Sequence, residues 1–152
     1  MSFALIMQVS VEQILAGLGG ERFIKRRIRH EFDLIEIVQE GLPMESAAFL
    51  QTNFGLTNKE MSHILAISES TYQRRIRKGA RLTQDETEKA ISLAEVYEKG
   101  IEVFENKADW EYWLNSPITA LQEKKPIELL GSMIGRKQVL NVLNALLHGL
   151  FS

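Results

Sequence analysis

Apolar residues recur along the chain at intervals of three and four, and no stretch alternates with period two for long, so helices are expected throughout. Ser10 is placed to cap a helix running to Leu18, closed by Gly19 and Gly20. A second helix is expected from Glu21 to Glu40. It would turn Phe23, Ile24, Ile28, Phe32, Ile35 and Ile37 or Val38 inward, carry cations on its other side, and stop at Gly41-Leu42-Pro43. Met44 to Phe54 then reads as a helix with Ala47, Ala48, Leu50 and Phe54 inward and Gly55 at its end. The fold class is all-α.

Thr57-Asn58-Lys59-Glu60 has the Thr-x-x-Glu spacing of a capping box, which starts a short helix burying Met61, Ile64 and Leu65. Ala66-Ile67-Ser68 supplies a tight turn in which Ile67 can plug the core. Ser68 then caps a second helix, Glu69 to Lys78, which Gly79 ends. Tyr72 and Ile76, four residues apart, define the buried stripe of this helix. Its reverse face carries Ser70, Arg74 and Arg77, flanked by Thr71, Gln73 and Lys78.

Hydroxyls and an amide near the helix start, with cations near its end, are what a recognition helix in the major groove needs. Arg can bond guanine bidentately, Gln can bond adenine, and hydroxyls and Lys can hold phosphates. Thr57, Ser68, Ser70, Thr71, Gln73, Arg74, Arg77 and Lys78 are therefore the candidate DNA contacts. The plainer alternative is an amphipathic helix whose cations favour the negative end of its dipole, which accounts for Arg77 and Lys78 but not for the rest. Paired half-sites one helical turn apart make a homodimer the geometric expectation.

Downstream, Thr83 to Glu86 opens a long helix with Ala90, Ile91, Leu93, Ala94, Val96 and Tyr97 inside, ending near Gly100 or continuing to Phe104. Asn106 to Leu114 is a further helix, stopped by Asn115-Ser116-Pro117. Pro126 starts a short one through Leu130, and Gly131 and Gly135 mark a break before an apolar-sided helix from Arg136 to Leu147.

Charge sharpens the picture. The net charge is −2, yet ten of the 18 basic residues lie in two acid-free stretches, Arg22 to Arg29 and Arg74 to Arg81, so the rest of the chain is strongly acidic. Focused positive charge on an acidic protein suits local phosphate contact. There is no Cys, and His30, His63 and His148 lie far apart, so neither a metal site nor any cofactor is expected. The apolar start, with Glu12 and no cationic lead, reads as neither a signal peptide nor a membrane span, and the cytoplasm is the expected compartment. A phosphate-binding Gly-rich loop, an HExxH pair and a spaced Ser/His/Asp set are all missing, so no enzyme activity is expected.

Trp113-Leu114-Asn115-Ser116-Pro117, Leu121, Pro126-Ile127-Glu128-Leu129-Leu130, Gly135, Val139, Leu143 and His148-Gly149-Leu150-Phe151 together resemble the toxin-binding domain of Xre/MbcA/ParS-type antitoxins. Leu56 to Thr83 resembles the Xre-type helix-turn-helix of the same proteins. The resemblance implies a 41–97 DNA-binding domain and a 98–152 toxin-binding domain, with 1–40 as an N-terminal helical extension of open role. It also implies an antitoxin that neutralises a cognate RES-domain, NAD-consuming toxin and represses its own operon, as a homodimer within a larger toxin–antitoxin complex. Carried over by position, the toxin contacts are Trp113, Pro117, Leu121, Pro126, Leu129, Leu130, His148, Gly149, Leu150, Phe151 and Ser152; Trp110, Trp113, Tyr112 and Phe151 could supply large apolar anchors, although Trp and Leu at helical spacing are more often core than interface. One position departs from the family pattern: Ile118 stands where such domains often have Asn. The alternative reading is a helix-turn-helix transcription regulator whose C-terminal half dimerises or senses a ligand.

Overall fold

The computed structural model describes residues 9–149, which form eight α-helices and several short 3-10 turns, with no strand among them beyond two isolated bridges. The helices are α1 (Val11–Gly17), α2 (Leu34–Glu40), α3 (Met44–Phe54), α4 (Asn58–Leu65), α5 (Glu69–Lys78), α6 (Gln84–Val103), α7 (Lys107–Leu114) and α8 (Met133–Leu147). Side chains set most of the starts: Ser10, Thr57, Ser68, Thr83, Asn106 and Ser132 each accept the backbone N–H three residues on. Gln13, Glu60 and Glu86 return the bond to complete capping boxes at α1, α4 and α6. Each cap contributes about 1 kcal/mol.

The twenty-residue α6 is the spine, with α1, α2, α3 and α8 all packed on it. Its fully buried Ala90, Leu93 and Ala94 join Ile14 of α1 and Leu18 just past its end, Leu50 and Phe54 of α3, and Val139 and Leu143 of α8 in one continuous apolar core. Two glycine-dependent contacts bring neighbours close. A Cβ at Gly100 would lie 2.3 Å from Cζ3 of Trp110, so the glycine inside α6 seats that ring. A Cβ at Gly135 would lie 1.9 Å from the carbonyl oxygen of Leu129. Gly135 thus lies inside the first turn of α8, and the break expected there falls instead at Gly131-Ser132.

The expected helix from Glu21 to Glu40 does not form as one element. Residues 20–22 make a 3-10 turn, 24–30 are irregular, and a second 3-10 turn at 31–33 leads into α2. A continuous helix would stack Arg22 under Arg26, Lys25 under Arg29 and Arg26 under Arg29, repulsions of a few tenths of a kcal/mol each. The Asp33 carboxylate offers an alternative by accepting the backbone N–H groups of Arg29 and His30. Helical phasing consequently begins late: Leu34 and Ile37 are buried, while Phe32 and Ile35, expected inward, are exposed. The expected division at 97/98 falls within α6, the helix on which α1, α2, α3 and α8 all pack.

Candidate functional site

The α4–turn–α5 unit spans the residues expected of it. Ala66 closes α4 in the left-handed region at φ 62°, and Ser68 caps α5 by accepting from the Thr71 N–H at 3.1 Å. Tyr72 is fully buried and donates its hydroxyl to Oε1 of Gln51 at 2.6 Å. Gln51 also donates to the Leu56 carbonyl and to Oδ1 of Asn58, so one α3 side chain ties together α5, the preceding turn and the start of α4. Burial pushes the Tyr72 hydroxyl up to about 12, which keeps it a neutral donor. Nothing in the local pattern singled out Gln51, because its importance comes from three partners distant in sequence or across a turn.

Ile76, expected to share the buried stripe with Tyr72, is 37% exposed. Beyond Tyr72 the inward side of α5 is taken by Arg75, which faces the Glu86 carboxylate of α6 and not an apolar surface. Ser70, Arg74, Arg77 and Lys78 are exposed, as are Ser68 and Thr57, while Thr71 and Gln73 are half-buried. The Ser68 hydroxyl donates to Oγ1 of Thr71 and lies 3.2 Å from the Ser70 hydroxyl, giving a small polar cluster at the start of α5.

The basic stretch is less free than its sequence suggests. Arg75 turns inward and pairs with the 5% exposed Glu86 through three hydrogen bonds of 2.8–3.2 Å. Glu86 also accepts the Thr83 N–H, so the pair anchors α5 to the start of α6. Arg81 donates to the Gly41 carbonyl at 2.6 Å. In the other stretch Arg26 pairs with Glu36 and Glu40. The outward charge on α5 is therefore carried by Arg74, Arg77 and Lys78.

In the C-terminal half, α7 places Trp110 in the core at 1% exposure, where it meets Phe54, Tyr97 and Phe104. It serves as packing and cannot be the surface anchor expected of it. Trp113 is half-buried, stacked on Trp110 with centroids 6.1 Å apart and 5.5 Å from Phe104. Ser116 donates to the Tyr112 carbonyl, and the chain turns at exposed Pro117 into a hairpin closed by Ile118 pairing with Lys124. Ile118 is half-buried against the core, so this position gives up the polar group of the family pattern for an apolar contact.

Among the residues assigned to toxin contact, Trp113, Pro117, Leu129, His148 and Gly149 have surface to offer. Leu121, Pro126 and Leu130 do not. They lie inside and brace the hairpin against α8, because that short, loop-rich segment has little else to fill its interior. Leu150, Phe151 and Ser152 lie outside the described residues. Ile101, Tyr112, Met133, Ile134 and Leu147 are the large exposed apolar side chains of this half among the described residues, and of these only Tyr112 was expected from sequence as a surface anchor. Arg136 is buried instead, donating to Ser92 of α6 and to the Leu130 carbonyl, which locks α8 to the spine and to the hairpin. No group of acidic or histidine residues suited to a metal ion occurs among the described residues, and none of their helices is long and apolar enough to cross a membrane.

Two family models match the chain in succession: the antitoxin Xre-like helix-turn-helix domain over residues 33–95 and the antitoxin Xre/MbcA/ParS C-terminal toxin-binding domain over residues 99–149. Antitoxin Xre of Photorhabdus laumondii is 25% identical over 117 residues, covering 76% of this chain and 79% of that protein. Antitoxin Xre of Yersinia enterocolitica is 22% identical over 120 residues, covering 78% and 81%. The crystal structure of the M. tuberculosis MbcT–MbcA toxin–antitoxin complex contains a chain of similar fold, with a TM-score of 0.56 and 23% identity, over 72% of this chain and 96% of that one. With the helix-turn-helix domain and the C-terminal domain both present and in this order, the chain belongs to the Xre/MbcA/ParS antitoxin family.

Proposed function

We propose that this protein neutralises a cognate RES-domain, NAD-consuming toxin through its C-terminal half and represses its own operon through α5. The observation that carries the DNA reading is the outward face of α5, where Ser70, Arg74, Arg77 and Lys78 stand exposed while the neighbouring Arg75 is tied down internally. Cations held on a rigid helix, with a hydroxyl cluster at its start, have the chemistry for base edges and phosphates. Two such helices one DNA turn apart require a homodimer.

The toxin reading is supported by the match over residues 99–149 and by a surface that sets half-buried Trp113 beside exposed Tyr112 and Pro117. Large aromatic anchors with a polar rim are the usual makeup of a tight protein interface. The test is co-expression with the reading frame adjacent to this chain's own gene. A stable complex, together with restored cellular NAD relative to the partner expressed alone, is expected. A partner that leaves NAD untouched sinks the RES assignment, and failure to co-purify sinks the antitoxin role.

A further inference from the structure

The irregular segment 23–30 lies outside both matched domains, yet it carries one of the two basic stretches. Exposure alternates along it. Ile24 is buried and Arg26 and Ile28 are half-buried, whereas Lys25, Arg27 and Arg29 are exposed. Arg26 is paired with Glu36 and Glu40, but no carboxylate among the described residues pairs with the side chains of Lys25, Arg27 or Arg29. Three cations thus face outward with no structural role in an acidic protein.

Their position is the second observation. Lys25 and Arg26 line one groove with Pro43 and Arg81, and Arg81 lies three residues beyond the end of α5. The groove is held together by backbone bonds from Leu82 N–H to the Leu42 carbonyl and from Met44 N–H to the Ala80 carbonyl, and by the Arg81 guanidinium on the Gly41 carbonyl. The start of the segment therefore lies near the C-terminal end of α5, where Arg77 and Lys78 are exposed, and its far end at Arg29 runs on toward Ser10 and Glu12 at the start of α1. We propose that segment 23–30 is a second DNA-contacting element, laying Lys25, Arg27 and Arg29 on the phosphate backbone beside the bases that α5 reads. This rests on the reading of α5 as a groove-binding helix. The charge fits a duplex, which carries one phosphate per 3.4 Å on each strand. Within the segment Ile24 is buried and Phe23 and Ile28 are half-buried, so what it presents outward is mainly charge.

The test measures affinity against salt concentration for two labelled duplexes, the promoter region upstream of this chain's own coding sequence and a random sequence of equal length. The triple variant Lys25→Ala/Arg27→Ala/Arg29→Ala is expected to flatten the slope of log K on log salt by about 2–3 on both duplexes, since each phosphate contact contributes about 0.9. The promoter-to-random ratio should stay unchanged. An unaltered slope in the triple variant, alongside a Lys78→Ala control that loses about one, overturns the proposal and leaves the α5 reading intact. A parent protein that binds neither duplex overturns both. A triple variant that keeps its slope and loses the toxin complex assigns the cations to a protein partner and likewise overturns it. Because the chain has no Cys, Arg27→Cys can be labelled uniquely with an iron chelate. Backbone cuts just outside the protected bases are expected, and a labelled complex that leaves both strands uncut counts against the proposal whatever the triple variant does.

Discussion

Arg74 and Arg75 are neighbours on α5 with opposite surroundings: one faces solvent, the other reaches a carboxylate that is almost wholly covered. Removing Arg75 leaves Glu86 buried without its partner, so Arg75→Ala should lower the unfolding free energy by about 3 kcal/mol in urea titration. Arg74→Ala should leave stability within about 0.5 kcal/mol. It should instead cost about 1–3 kcal/mol of binding to the promoter duplex and much less on random DNA. Equal loss on both would show that Arg74 reads no base. A second residue-scale effect concerns acid. Glu98 of α6 is 7% exposed, and burial, aided by the Glu102 carboxylate one turn on, pushes its carboxyl up to about 7 from an ordinary value of 4.5. The folded form holds this proton more tightly than the unfolded chain, so stability declines as pH rises from about 4.5 to about 7 and stays lowered above that. Glu98→Gln should remove that decline and gain about 2 kcal/mol at pH 8 over the parent, with little difference at pH 4, in denaturation curves across the range.

At the scale of elements, the turn between α4 and α5 fixes how the recognition helix is presented. Ala66 holds it with a left-handed backbone that a Cβ disfavours by about 1 kcal/mol. Ala66→Gly relieves that strain at some entropic cost in the unfolded chain, so a rise of up to about 1 kcal/mol in stability is expected from thermal melts. A loss would mean that the Ala66 methyl contributes packing that outweighs the strain. The starts of α1, α4, α5, α6 and α7 were legible in sequence because a cap is a three-residue affair: Ser10, Thr57, Ser68, Thr83 and Asn106 act within their own turn. Segment 21–40 was not legible. Its apolar spacing suits a helix, and what prevents one is the sum of stacked cations and the Asp33 carboxylate reaching back to Arg29 and His30. The candidate DNA face was readable for the same local reason, since Tyr72 alone fixes which side of α5 is hidden. The burial of Leu121, Pro126 and Leu130 and the inward turn of Arg75 and Arg136 depend on which elements meet, which spacing along the chain does not encode.

For the molecule as a whole, the two activities proposed are spatially separate in their contacts and joined in their support. The exposed face of α5 and the Trp113–Pro117 surface share no residue, yet both halves rest on α6. Deleting residues 149–152 should release the toxin, read as loss of protection on co-expression, while promoter affinity stays within about twofold of the parent, a change of under 0.5 kcal/mol. Full protection by the truncated chain would remove the tail from the neutralising contact.

The continuity of α6 also limits how members of the family can be recombined. A chimaera joined near residue 97 would cut α6 inside the stretch that holds both halves, since Ser92 before the cut bonds Arg136 of α8 and Tyr97 meets both Phe54 of α3 and Trp110 of α7. A junction at 104–106, after the helix has ended and before Asn106 caps α7, leaves α6 whole but sets α6 of one parent against α8 of the other, so a graft keeps its solubility when the residues of that α6–α8 seam are matched. On the proposed reading of α5, a change of DNA sequence preference is thus easier by substituting the outward residues of α5 in place than by exchanging the N-terminal half wholesale.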